Sequence, residues 1–145
     1  MTVDTQQSLI THIYDTLIAD TTLKGVCGGT VRLYPVWAVP DATFPYLVQR
    51  ADIRAIDDFF PMRRGTLIID LWSYSPNASE ILSIRKRVIE ILDQLDFSVT
   101  EIGHCRIDLE TDGFIPETDE NIWHYSLQFG LRFYRTTEVA AIIGR

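Results

Sequence analysis

Chemistry in this chain would have to come from three histidines, two cysteines and a run of carboxylates. His124 and Ser126 are two apart, so on a strand they share a face and a Ser–His dyad is conceivable. A solvated sheet surface explains both residues without chemistry. His104 and Cys105 are adjacent and point to opposite sides of a strand, which keeps them from gripping one ion. Zinc through Cys27, Cys105 and a histidine would need tetrahedral convergence from distant segments, and no Cys-x-x-Cys spacing supports it. His12, beside polar Thr11, reads as a surface side chain. Asp108, Glu110, Asp112, Glu117, Asp119 and Glu120 are dense in acid. Calcium loops, however, place oxygen ligands at fixed spacing around a sharp Gly turn, and these alternate and then scatter. Gly28-Gly29 lacks the Gly-x-x-x-x-Gly-Lys-Ser/Thr spacing of a phosphate loop. No catalytic residue, metal site or cofactor is expected.

The elements that must position these residues fit one domain. The chain has 145 residues, and two independent cores would be cramped. Hydrophobic residues at 46% and charged residues at 23% are ordinary globular values and argue against a mostly disordered chain. No apolar run is long enough to span a bilayer, and the start, MTVDTQQSLITHIYDT, does not read as a signal peptide. Two cysteines are too few for a disulfide framework and read as thiols in a reducing compartment. A net charge of −7 disfavours general nucleic-acid binding, which relies on Lys and Arg. It suits a protein that stays near DNA without adhering to it.

Leu9, Ile10, Ile13, Tyr14, Leu17 and Ile18 form one apolar stripe of a helix over Thr5–Asp20, with Asp4 as N-cap. TTLKGVCGG reads as a short helical turn stopped by Gly28 and Gly29. Val31–Pro35 and Tyr46–Ile53 read as strands around a proline-rich loop, VWAVPDATFP. After the connection RAIDDFFPMRR comes Gly65–Tyr74, the most β-rich run. SPNASEILSIRKRVIEILDQL is a helix capped by Asn77 or Ser79. Its buried row is Ile81, Ile84, Val88, Ile91, Leu92 and Leu95, and its solvated face is Arg85, Lys86, Arg87 and Glu90. Cys105–Phe114 and IWHYSLQFGLRFYR alternate as strands around the loop IPETDEN. In the second, Trp123, Tyr125, Leu127, Phe129, Leu131 and Phe133 point to the dry face. The expected fold is α+β in the order α-β-β-β-α-β-β: a mostly antiparallel five-stranded sheet with two helices on one face. Residues 1–134 make the domain, and residues 135–145 make a C-terminal tail.

Three apolar groups fall outside these elements. They are Phe59, Phe60 and Met62 in the connection, Trp37 in the proline-rich loop, and Val139, Ile142 and Ile143 in the tail. A long loop can fold its aromatics onto its own core. Together, though, the three groups predict surfaces buried against another chain, with Arg63 and Arg64 pairing with carboxylates at the rim. Asp57–Arg64 is expected to be a docking arm.

The stretches "VRLYPVWAVPDATFPYLVQR", "GTLIIDLWSYSPNASEILSIRKRVIEIL" and "DGFIPETDENIWHYSLQFGLRF" resemble the small tail-completion (tail terminator) proteins of long-tailed bacteriophages and prophages. The shared features are a Tyr-Pro after the first strand, a proline before the second, a strand-tyrosine segment leading into an alanine-containing helix, and a closing His-Tyr strand. The resemblance spans about residues 5–134. It implies a virion protein, made in the host cytoplasm, that forms a ring of six capping the tail tube. It implies as partners the major tail tube protein and a head-completion or connector protein, with DNA passing through the lumen and no membrane involved. It transfers no catalytic residue. Another neck or head-completion component, an interaction module acting as a dimer outside a virion, and a small cytosolic enzyme are the alternatives.

Overall fold

A computed structural model of the chain describes residues 5–54, 62–99 and 102–135. The elements are α1 (Thr5–Ile18), α2 (Thr21–Val26), β1 (Leu33–Pro35), β2 (Tyr46–Ile53), β3 (Met62–Tyr74), α3 (Ser79–Leu92), β4 (Leu95–Val99), β5 (Ile102–Ile115) and β6 (Ile122–Arg135). Among the described residues, three helices cover a six-stranded sheet ordered β1-β2-β3-β6-β5-β4. The α+β class stands. The strand count rises from five to six, and the sheet is mixed because β1 runs parallel to β2. Asp4 lies outside the described residues.

The missing strand is β4. The expected helix runs on to Leu95, but α3 ends at Leu92 and the chain reverses through Gln94 at φ 62. Gly or Asn usually marks such a left-handed position, so a glutamine there carries no stop signal. Leu95 then opens β4, paired to Ile107.

Alternation along the central strands builds the core. Leu67, Ile69 and Leu71 of β3 and Leu127, Phe129 and Leu131 of β6 are buried on one face. Ile81, Ile84, Val88 and Leu92 of α3, and Leu9, Ile13 and Leu17 of α1, join the same core. Polar contacts identify the covered face. Gln49 Nε2 donates to the Ile10 carbonyl of α1 at 3.4 Å, and Ser73 Oγ donates to Glu80 of α3 at 2.6 Å. Among the described residues, no helix covers the other face of the sheet.

Two arginines expected on the solvated side of α3 hold elements together. Asp20 caps α2 by accepting from the Leu23 amide at 2.8 Å. The same carboxylate takes Arg87 Nη2 at 2.6 Å and Nε at 2.8 Å. Arg85 Nε donates to Asp112 Oδ2 at 2.8 Å and to Tyr125 Oη at 2.7 Å. Strict alternation would leave Asp112 on the same face as Asp108 and Glu110. A bulge between Leu109 and Thr111 shifts the register and turns Asp112 to the helix side.

Candidate interaction surface

The residues that could have done chemistry lie apart. Cys27 and Cys105 are buried free thiols. Burial pushes their pKa values up to about 11 and about 12, which leaves them unreactive. His104 is exposed on a bulge while Cys105 points into the core, as the spacing predicts. His12 is not on open surface: its ring stacks on Phe97 at 4.1 Å, and burial lowers its pKa. Asp108 pairs with Arg106 at 3.1 Å and with Arg132 at 3.5 Å. Among the described residues, no three His, Cys, Asp or Glu side chains come together to hold a metal.

His124 corrects the expectation of a solvated face. It does point to the open side, yet it is only 9% exposed and stacks on Trp72 at 3.8 Å. Its Nδ1 lies 3.0 Å from Glu117 and its Nε2 lies 3.1 Å from Asp70. A neutral imidazole can donate from one nitrogen only, so both contacts are satisfied together by the imidazolium. Ser126 bonds Asp70 and makes no dyad with His124. Burial alone would lower the pKa of His124, but the bonds to Asp70 and Glu117 outweigh it and the net shift is upward from 6.5.

A folded-state pKa above the unfolded value stabilises fully below about pH 6.5. That contribution is lost as pH rises through the folded value. His12 titrates in the opposite sense, so the comparison is with His124→Gln. The gap in melting temperature between the native chain and His124→Gln should narrow as pH rises past 6.5. A gap independent of pH would mean that His124 is not charged in the fold.

Around this histidine the open face is aromatic. Tyr46 stacks on Trp72 at 6.0 Å, and Phe44 lies 5.2 Å from Tyr46 and 5.9 Å from Tyr74. Above them sits the loop after β1. Val36 has φ 63, and the Trp37 amide bonds the Pro35 carbonyl at 2.6 Å, closing a tight three-residue turn. A β-branched residue in that region is strained, and the Val36 amide holds it there by donating to Gln49 O at 2.8 Å. The turn throws Trp37 outward to 83% exposure, with Val36 at 53% and Val39 at 51%. Between loop and sheet lies a groove of about 470 Å³, lined by Trp37, Val39, Tyr46, Val48, Arg50 and Trp72. The far end of the same face is charged: a shallow saddle of about 360 Å³ is lined by Arg54, Arg64, Arg132, Asp108 and Glu110.

Of the residues expected at an interface, Trp37 is thus displayed on a strained turn. Met62, Arg63 and Arg64 are not in the connection. They open β3 and pair with Tyr134, Phe133 and Arg132, so the expected arm Asp57–Arg64 loses its last three residues to the sheet. Phe59, Phe60, Val139, Ile142 and Ile143 lie outside the described residues. Sequence reading missed the Tyr46–Trp72–His124 stack, although their alternation with buried residues could have placed all three on one face.

No protein-family model matches the chain, and no curated protein matches it. Among solved structures, the fold is similar to that of a chain described as "Virion of native gene transfer agent (GTA) particle". The TM-score is 0.76 at 17% identity, covering 92% of this chain and 99% of that one.

Proposed function

We propose that this chain is a structural protein of a tailed-phage or phage-derived particle. In this reading it forms a ring, of six copies as the resemblance implies, that caps the tail tube and joins it to the head connector. The observation that carries the reading is the fold likeness to a virion chain over almost the full length of both partners. The motifs of tail-completion proteins point to the same joint independently. The chain acts by binding and not by catalysis: its strongest unusual feature is an aromatic groove beneath a displayed tryptophan. Six copies at −7 would carry about −42, a field that repels phosphate and lets DNA pass the lumen without sticking.

Deleting the gene tests this. Electron microscopy of the resulting lysates should show heads and tails unjoined, and complementation in trans should restore whole particles. Intact, DNA-filled, tailed particles without the protein would overturn the reading.

Phe59 and Phe60 belong to the proposed contact with the tube protein or the adjacent ring subunit. Phe59→Ala with Phe60→Ala should leave the melting temperature of the isolated protein unchanged and weaken assembly about tenfold or more. A large fall in melting temperature would show instead that the two rings pack on their own core.

A further inference from the structure

We propose that the tail of one copy, residues 136–145, fills the Trp37 groove of the next copy. This rests on the ring reading above and names its linkage. The groove is walled by Val36, Trp37, Val39, Tyr46 and Trp72, an apolar and aromatic lining with one cation, Arg50. Its carboxylate, Asp70, already holds His124 and Ser126. The fitting occupant is a short apolar segment preceded by one acid. Residues 138–143, Glu-Val-Ala-Ala-Ile-Ile, have that composition, and Glu138 is the acid to pair with Arg50.

Reach decides whose tail it is. The tail leaves β6 at Arg135, opposite Ile102, at the sheet end that carries Met62. The groove floor is at Val48 and Asp70, level with Ser126 of β6. From Ser126 to Arg135 the strand runs about 30 Å, at roughly 3.3 Å per residue. The groove also lies two strand spacings to the side, about 10 Å. Doubling back fully extended, Val139 reaches about 14 Å from Arg135 and Ile143 about 28 Å. The near edge of the groove, Arg50, is level with Gln128 and so about 25 Å from Arg135, while Glu138 reaches only about 10 Å. The segment therefore cannot seat Glu138 on its own Arg50, and a neighbouring copy must receive it. Donor and acceptor then sit at opposite ends of one molecule. That is a heterologous contact, which closes into a ring or grows into a chain.

The test uses the full chain and two variants, each disabled at one end. Ile142→Glu with Ile143→Glu spoils the tail and keeps the groove. Trp37→Ala spoils the groove and keeps the tail, and as an exposed residue it should leave the circular dichroism spectrum and melting temperature unchanged. A fluorescein-labelled peptide of residues 135–145 should bind the tail variant and shift its tryptophan emission. Adding Trp37→Ala should weaken that binding by at least about thirtyfold, the behaviour of a central aromatic anchor. Arg50→Glu should weaken it too, and a Glu138→Arg peptide should restore it. In light scattering, mixing the two variants should give a 1:1 heterodimer and nothing larger, since each retains one working end.

A peptide that does not bind, or binds equally with and without Trp37, overturns the proposal. If Trp37→Ala leaves peptide binding intact but abolishes joining to tails in particle assembly, the groove takes another virion protein; the tail linkage fails while the ring reading stands. If deletion of the gene leaves whole particles, the ring reading fails irrespective of the peptide result.

Discussion

Phe129→Ala is expected to remove about 3–5 kcal/mol of folding stability, the usual cost of emptying a phenylalanine site in a closed core. Phe129 is fully buried near the middle of β6, opposite Leu67 on one side and Leu109 on the other. Two long strands fix its backbone, so the surroundings can collapse only partly into the space. Against a total stability of roughly 5–15 kcal/mol for a domain, the loss is large. It should lower the melting temperature by roughly 10 °C or more. Thermal and urea melts of the isolated chain measure it, with Trp37→Ala as a control expected within about 0.5 kcal/mol of the native protein. A small effect at Phe129 would mean that helices and sheet do not share one closed core.

Phe129 also shows where sequence reading is strong. Period-2 alternation over IWHYSLQFGLRFYR placed it on the dry face, and the residues it named from Tyr125 to Phe133 are buried. The same logic set β2 at Tyr46–Ile53 without error and α1 to within two residues of its end. These elements are long and periodic, so burial dictates residue type at each position. Where the chain departs from its period, the reading fails. Gln94 turns left-handed without a glycine and hides β4, and the Leu109–Thr111 bulge reverses the face of Asp112. Arg85 and Arg87 look solvated by helical spacing, yet each finds a carboxylate supplied by a distant segment, 27 and 67 residues away.

The candidate surface was legible only in composition. An unplaced Trp37 in a proline-rich loop signals a contact, but the Val36 turn that displays it depends on a backbone bond to Gln49 in the neighbouring strand. His124 looked like any polar residue on an open face. Its partners come from β3 and from the β5–β6 loop, and no local pattern announces that convergence. Long-range pairing therefore sets the electrostatics, and propensity does not encode it.

Two strand glycines, alike in sequence context, should respond in opposite ways to alanine. A Cβ on Gly65 would lie 2.5 Å from the carbonyl oxygen of Asp52, which belongs to the backbone of the paired strand β2. Neither strand can yield without breaking its ladder, since β3 is also paired to β6 at the same position through Leu131. Gly65→Ala should therefore cost about 1–3 kcal/mol, the range for overpacking a fitted site. A Cβ on Gly130 would instead meet the carboxylate of Glu110, the far end of an exposed flexible side chain. Glu110 can swing into solvent, and alanine restricts the unfolded chain more than glycine does, a gain of about 0.4–1 kcal/mol. Gly130→Ala should come out near neutral or slightly stabilising in the same urea melts. Equal losses at both sites would mean that Glu110 is fixed over β6 by the charges of the arginine saddle, and the saddle would then be a rigid feature of the open face.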